Sequence, residues 1–156
     1  MARALHLAAE AGAAGEVPVG AVVYELSSGA VLSEASNTRE HARDPAGHAE
    51  FLAVVEACRT LGDWRLNACG VAVTLEPCPM CAGLMVNARV GRVVYGAADP
   101  KGGACRSLYT ITTDPRLNHR VALVPGVMAL ESAALLRSFF RARRGRGRGP
   151  GGDAGA

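Results

Sequence analysis

Apolar residues recur along this chain with helical spacing in some segments and in short unbroken runs in others. Helical spacing occurs at residues 2–13 and again at 128–144, where Leu135, Leu136, Phe139 and Phe140 form one stripe. Two more helices are predicted at 48–61 and 80–89. Short apolar runs predict strands at 17–25, 30–35, 69–75, 92–95 and 121–124.

The order of these elements predicts an α/β fold in which helices pack on a sheet. Ser27-Ser28-Gly29 has turn chemistry and joins the first two strands, which we expect to form an antiparallel hairpin. Two long connections remain, the polar segment 37–47 and the glycine-containing segment 96–120. A connection as long as the second one in a compact domain suggests a functional loop.

Length and composition fit one globular domain. The chain has 156 residues, of which 49% are hydrophobic and 4% aromatic, so the core is expected to consist mainly of Ala, Val and Leu. Residues 145–156 are a low-complexity Gly, Arg and Pro segment. The sequence therefore predicts a domain at 1–144 followed by a disordered tail at 145–156.

The basic charge is concentrated at the C-terminal end. Residues 1–136 carry 11 basic and 13 acidic side chains, a net charge of −2, whereas residues 137–156 carry six arginines and Asp153, a net charge of +5. No apolar run approaches the length of a transmembrane helix, and the first residues do not resemble a signal peptide. Five cysteines, two of them at metal-ligand spacing, fit a reducing compartment, so we expect a cytoplasmic protein that does not enter membranes.

Cys78 and Cys81 have the spacing of two ligands of one metal ion, since residues i and i+3 share a face of a helix. Pro79 suits the first position of a helix, which places Cys78 at the helix start, where the helix dipole favours thiolate over thiol. His48 adds a nitrogen ligand and leaves one tetrahedral position open for water. Glu50 can reach that water if His48 lies in the first turn of its own helix.

His-x-Glu at residues 48–50 followed by Pro-Cys-x-x-Cys at residues 77–81 is the signature of the zinc-dependent nucleoside deaminases. Over residues 3–144 the chain resembles the bacterial tRNA-specific adenosine deaminases, which convert the wobble adenosine of an anticodon to inosine. The matching stretches are 16–22, 44–45, 48–50, 74–83, 96–97, Asp99, 117–119 and 139–140.

This resemblance implies a three-layer α/β/α fold of the cytidine-deaminase type, with a five-stranded mixed sheet and helices on both faces. It implies one zinc ion per subunit held by His48, Cys78 and Cys81, hydrolytic deamination by a zinc-activated water, and Glu50 as the catalytic proton shuttle. The family match also assigns binding of the target base to Asn37, with Val17 and Leu75 as walls of the base pocket.

The resemblance further implies a partner and an assembly state. The expected partner is the anticodon stem-loop of a tRNA, with the arginine tRNA of anticodon ACG as the expected species, and the expected assembly is a homodimer. Asp99, Lys101, Asn118 and His119 occupy regions that face RNA in the family. Cys105, in contrast, is expected to be an exposed loop thiol without a role.

Three other interpretations of the same residues stay open. A free guanine, cytosine or nucleoside deaminase of the same superfamily would share the chemistry and differ in the substrate. A non-catalytic RNA-binding module stabilised by zinc would share the ligands but would have no use for Glu50. A closed structural zinc site would need a fourth ligand, for which the candidates are Cys58, Cys69, Cys105, His41 and His119.

Overall fold

The computed structural model of the chain describes residues 1–146, in which helices and strands alternate. The helices are α1 (Ala2–Ala13), α2 (Arg39–Ala42), α3 (Ala49–Leu61), α4 (Pro79–Asn87) and α5 (Ala129–Arg146), with a 3₁₀ turn at Ile111–Thr113. The strands are β1 (Gly20–Glu25), β2 (Val31–Ser36), β3 (Cys69–Leu75), β4 (Arg92–Ala97) and β5 (Ala122–Pro125). The last ten residues, which carry most of the predicted tail, lie outside the described residues.

The strands form one mixed sheet in the order β2-β1-β3-β4-β5. Strand β1 is antiparallel to both of its neighbours, whereas β3, β4 and β5 run parallel. The predicted hairpin of the first two strands is confirmed, and so is the five-stranded mixed sheet.

Helices cover both faces of this sheet. On one face, α3 and α4 bury small and apolar side chains such as Ala53, Ala57 and Met85 against Val23 and Val73. On the other face, α1 packs on β1 and also contacts α5. Glycine is required at position 20, because a Cβ there would collide with the backbone of α1. The three-layer arrangement is therefore as predicted.

Several boundaries differ from the pattern-based prediction for local reasons. Strand β1 starts at Gly20 rather than at residue 17, since the N–H of Val19 is hydrogen-bonded to the carbonyl of Val17 at 2.8 Å in a tight turn. The segment 37–47 contains the short helix α2, which was not predicted. Strand β4 continues to Ala97, and α5 continues to Arg146.

One edge of the sheet collects the chain segments that carry the predicted chemistry. Strands β2, β3 and β4 point the same way, so that their carboxyl ends meet there, next to the start of β1. In α/β sheets with parallel strands, ligands bind outside the carboxyl ends of those strands.

No helix within residues 1–146 is long and apolar enough to cross a membrane.

Candidate active site

Two helices begin at this edge of the sheet, and each begins at a predicted metal ligand. His48 is the N-cap of α3 and Cys78 is the N-cap of α4, with Pro79 at the first helical position. Both N-caps have extended backbone, with ψ of 138° at His48 and 172° at Cys78. The extended backbone at His48 removes the angular separation that a regular helix would impose, so His48 and Glu50 reach the same site as predicted.

The ligand atoms of four residues converge between these helix starts. Nδ1 of His48 lies 3.6 Å from Sγ of Cys78 and 3.7 Å from Sγ of Cys81. With a carboxylate oxygen of Glu50, the four atoms all lie within 4.8 Å of one another. The structure therefore brings these four residues together, and their roles as metal ligands and proton shuttle stay a prediction.

The electrostatics of this cluster fit a bound cation. A hydrogen bond from the Cys81 thiol, aided by His48, lowers the pKa of Cys78 to about 4. The same hydrogen bond, together with burial, raises the pKa of Cys81. A second thiolate beside the first is unfavourable without a neighbouring positive charge, which a metal ion held here would supply. Two sulfurs and one imidazole are a donor set that suits zinc.

Glu50 is buried beside the three candidate ligands. Glu50 is only 5% exposed, and this burial raises the pKa of its carboxyl above the ordinary value. A carboxyl whose pKa is raised in this way is suited to taking up a proton and giving it back near neutral pH. The burial of Glu50 beside the candidate ligands therefore supports a role in proton transfer.

The candidates for a fourth structural ligand do not join the cluster. Within residues 1–146, the group of possible metal ligands contains His48, Glu50, Cys78 and Cys81 only. Elsewhere, the Cys58 thiol donates to the carbonyl of Trp64 at 3.5 Å, and Nε2 of His119 is hydrogen-bonded to the carbonyl of Val90 at 2.8 Å. None of the residues proposed as a fourth ligand of a closed zinc site therefore belongs to the group of converging ligand atoms.

A pocket of about 170 Å³ opens in front of the cluster. It is lined by Val17, Val19, Asn37, Arg39, His48, Glu50, Leu75, Glu76, Cys78 and Asp99. The three residues predicted to bind the base, Asn37, Val17 and Leu75, are thus all pocket-lining. Their placement agrees with the prediction, and their function as base-binding residues stays a proposal.

Glu76 is a site residue that the sequence reasoning missed. It is 2% exposed, and its carboxylate accepts hydrogen bonds from the backbone N–H groups of Asp99 at 3.0 Å, Cys105 at 3.2 Å, Arg106 at 2.7 Å and Ser107 at 2.8 Å. The hydroxyl of Ser107 donates as well. Burial alone would raise the pKa of Glu76, but these hydrogen bonds hold it below the ordinary value. The sequence does contain one signal of this role, because Glu76 is a charged residue that directly follows the apolar strand at 69–75.

Glu16 was likewise missed as a site residue. Its carboxylate is buried and accepts hydrogen bonds from the Asn37 amide and from the first turn of α2. Its partners are 21 to 25 residues away in sequence, so that no local pattern relates them.

The loop at 96–120 places Cys105 in the interior and Asn118 and His119 away from the pocket. The expectation that Cys105 is exposed is wrong: it is 1% exposed, and burial raises its pKa to about 12. The backbone on either side of its side chain is held inward, because the N–H of Cys105 donates to Glu76 and the N–H of Ala104 donates to the carbonyl of Pro77. Asn118 and His119 do not line the pocket; Asn118 accepts a hydrogen bond from Arg89 at 2.9 Å, which is a structural contact.

The fold and the cluster together define a deaminase of the cytidine-deaminase type. Consistent with this class, residues 1–144 match the MafB19-like deaminase family. The fold is also similar to the solved structure of a guanine deaminase from Nitrosomonas europaea, with a TM-score of 0.74 and 25% identity over 88% of this chain and 81% of that one.

The similarity to curated proteins is more specific. The chain is 44% identical to a tRNA-specific adenosine deaminase from Bacillus subtilis over 92% of this chain and 88% of that protein. It is 42% identical to one from Aquifex aeolicus over 90% and 91% of the two chains. A structure solved in studies of A-to-I editing by tRNA deaminases at the wobble position matches with a TM-score of 0.80 and 40% identity, covering 85% of this chain and 95% of that one. The chain belongs to the tRNA-specific adenosine deaminase family.

Proposed function

We propose that this protein converts adenosine to inosine at the wobble position of a tRNA anticodon by hydrolytic deamination. The observation that carries the proposal is the buried Glu50 carboxyl, which lies beside three candidate zinc ligands at the base of an open pocket. The family of the chain points to the same reaction, because the relatives described above are named for adenosine deamination in tRNA.

The residues divide the chemistry between them. His48, Cys78 and Cys81 would hold zinc, which supplies the Lewis acid that makes water nucleophilic near neutral pH. Glu50 takes a proton from the attacking water and delivers it to ring nitrogen N1 of adenine as the water oxygen adds at C6. The proton of the new hydroxyl at C6 then passes through Glu50 to the exocyclic amine, the bond between C6 and that nitrogen breaks as the C6 carbonyl forms, and ammonia leaves to give inosine. One carboxyl thus acts first as base and then as acid.

The pocket supports binding of one unstacked base. Val17 and Leu75 are half-buried side chains that supply apolar walls, and Asn37 supplies a polar group for the base edge. A duplex would have to be opened to bring a base into such a pocket, whereas an anticodon loop is already single-stranded. This difference favours the anticodon stem-loop as the partner.

A second groove adjoins the base pocket and supports an RNA substrate over a free base. It has a volume of about 550 Å³ and shares Val17, Leu75 and Asp99 with the base pocket. Its other lining residues include the cations Lys101, Arg137 and Arg144 and the aromatic Phe140. Cations and an aromatic ring suit phosphates and bases of the nucleotides on either side of the target.

The test is a comparison of substrates with the zinc-loaded protein. A short stem-loop with the arginine anticodon ACG should be converted to inosine at the first anticodon position, while free adenosine is ignored and the same adenosine inside a duplex is not converted. Sequencing of the treated RNA reads the change as A to G. Faster release of ammonia from free guanine or cytosine would instead support the free-base alternative. The homodimer, the cytoplasmic location and the identity of the tRNA stay predictions.

A further inference from the structure

A buried carboxylate that takes no part in this reaction scheme lies behind the base pocket. Glu16 is 5% exposed, and its Oε2 accepts a hydrogen bond from Nδ2 of Asn37 at 3.1 Å. The same oxygen accepts the backbone N–H of Glu40 at 3.1 Å, and Oε1 accepts the backbone N–H of His41 at 2.6 Å. Both oxygens of Glu16 are therefore committed as acceptors.

These contacts decide which way the Asn37 amide faces. A backbone N–H can only donate, so the Glu16 oxygens that receive Glu40 and His41 remain acceptors. Only the NH₂ end of Asn37 can face them without repulsion. The amide oxygen Oδ1 must then lie on the opposite side, and within residues 1–146 no protein donor is found for it. Asn37 itself is 6% exposed and lines the base pocket.

We propose that Glu16 is a positioning residue for base recognition, which fixes the Asn37 amide so that its oxygen is an acceptor for the base and its second N–H remains a donor. The inference rests on the proposed function, because it assigns Asn37 to the target base. If Glu16 did not fix the amide, Asn37 could flip and present a donor where the base requires an acceptor. Such a mismatch is costly in a buried site.

Glu16 also has a structural contact that a test must separate from this role. The N-cap residue of helix α2, Thr38, makes no side-chain capping hydrogen bond. The Glu16 carboxylate caps the helix instead, because it accepts the backbone N–H groups of Glu40 and His41. Loss of Glu16 could therefore loosen α2 without any direct effect on base recognition. The two effects differ in one respect, because only the positioning role acts through the Asn37 side chain.

A double-mutant cycle separates them. Glu16→Gln keeps the size of the side chain but turns an N–H of the new amide toward groups that themselves donate, the Asn37 amide and the backbone N–H of Glu40. Because the Asn37 amide is then no longer fixed, kcat/KM for the anticodon stem-loop should fall about 10- to 100-fold. In an Asn37→Ala background, the same Glu16→Gln change should cost less than about threefold, because the group that Glu16 orients is gone. Glu10→Gln, the same change on the exposed face of α1, is the control and should leave kcat/KM unaltered.

An exchanged pair of variants tests the same contact in the opposite sense, and its first member leaves Glu16 unchanged. Asn37→Asp places two carboxylates face to face and should be strongly impaired, and Glu16→Gln added to it should restore part of the lost activity, since glutamine donates an N–H to the new aspartate. Equal loss from Glu16→Gln with and without Asn37, or no recovery in this exchanged pair, would overturn the positioning role. A wild-type protein that fails to deaminate the stem-loop would instead overturn the proposed function.

Discussion

The backbone N–H of Arg106 donates a 2.7 Å hydrogen bond to the carboxylate of Glu76, which lies 30 residues earlier in the chain. Glu76 is separated from Cys78 only by Pro77, whereas Arg106 lies in the middle of the longest connection of the fold. The bond therefore ties the turn that carries a candidate metal ligand to the loop that borders the base pocket. Gly103 permits the approach, because a Cβ at that position would collide with the Glu76 carboxyl.

Glu76→Gln should loosen this loop and leave the metal site intact. Glutamine would turn an N–H toward backbone donors, so the free energy of unfolding should fall by roughly 1–3 kcal/mol. The loop should become more sensitive to limited proteolysis, KM for the stem-loop should rise, and the zinc content should stay near that of the wild type. Glu56→Gln on the exposed side of α3 is the matched control. Unchanged proteolysis of the loop would show that Glu76 does not hold it.

Glu50 and the cysteines should fail in different ways. Glu50→Ala should retain about one zinc per chain and lose at least roughly 10²-fold in activity, because it removes the proton shuttle and no ligand. Cys78→Ser or Cys81→Ser should lose much of the zinc. Metal analysis of the purified variants measures this directly. A zinc-free Glu50→Ala protein would contradict the division of roles.

Removal of zinc should lower the thermal stability of the protein. The candidate ligands belong to the starts of two different helices, α3 and α4, so a shared ion would join them in the folded state only. A ligand present at 100 times its Kd adds about 2.7 kcal/mol to the free energy of unfolding. Adding a strong chelator should therefore lower Tm for the wild type and have little effect on Cys81→Ser. Equal Tm values for the wild type with and without chelator would argue against a resident metal.

The arginines of α5 should dominate the salt dependence of RNA binding. Arg137 and Arg144 line the groove next to the base pocket, so replacing both by Gln should reduce the slope of log affinity against log salt by roughly 1–2. Deleting residues 147–156 removes Arg148 and Asp153, whose charges cancel, and should change the slope little. Arg59→Gln with Arg65→Gln, near the end of α3 remote from His48, is the control for lost charge. A larger effect of the deletion than of the α5 substitutions would move the RNA contact to the tail.

The cysteine pair of the metal cluster could be predicted from sequence because its geometry follows from local rules, whereas the family signature joins His48 and Glu50 to it. Spacing places Cys78 and Cys81 on one face of a helix, and the proline between them marks the helix start. The mixed sheet and its helices followed from periodicity together with the family resemblance. Asn37 could be named only through the resemblance, since an asparagine after a strand is ordinarily a turn residue.

The second layer of the site could not be predicted, because it depends on contacts between distant segments. Nothing near Glu16 indicates that its carboxylate meets Asn37 and the start of α2. A cysteine in a polar loop is expected at the surface, whereas backbone hydrogen bonds from Ala104 to Pro77 and from Cys105 to Glu76 hold this part of the loop inward. The apolar run predicts a strand from residue 17, whereas a local turn at Val19 delays the start of β1 to Gly20.

The contacts that assemble the pocket also bear on how the protein folds. Glu16 meets Asn37 across 21 residues, His48 meets Cys78 across 30, and Glu76 meets Arg106 across another 30. Each closure costs chain entropy that is recovered only when the segments dock, and folding slows as such non-local contacts accumulate. The hairpin of β1 and β2 can form early from nearby residues, whereas the pocket and its supporting contacts require roughly two-thirds of the chain, as far as Arg106, to have been synthesised. Catalytic competence is therefore expected to appear later in folding than the hairpin of β1 and β2.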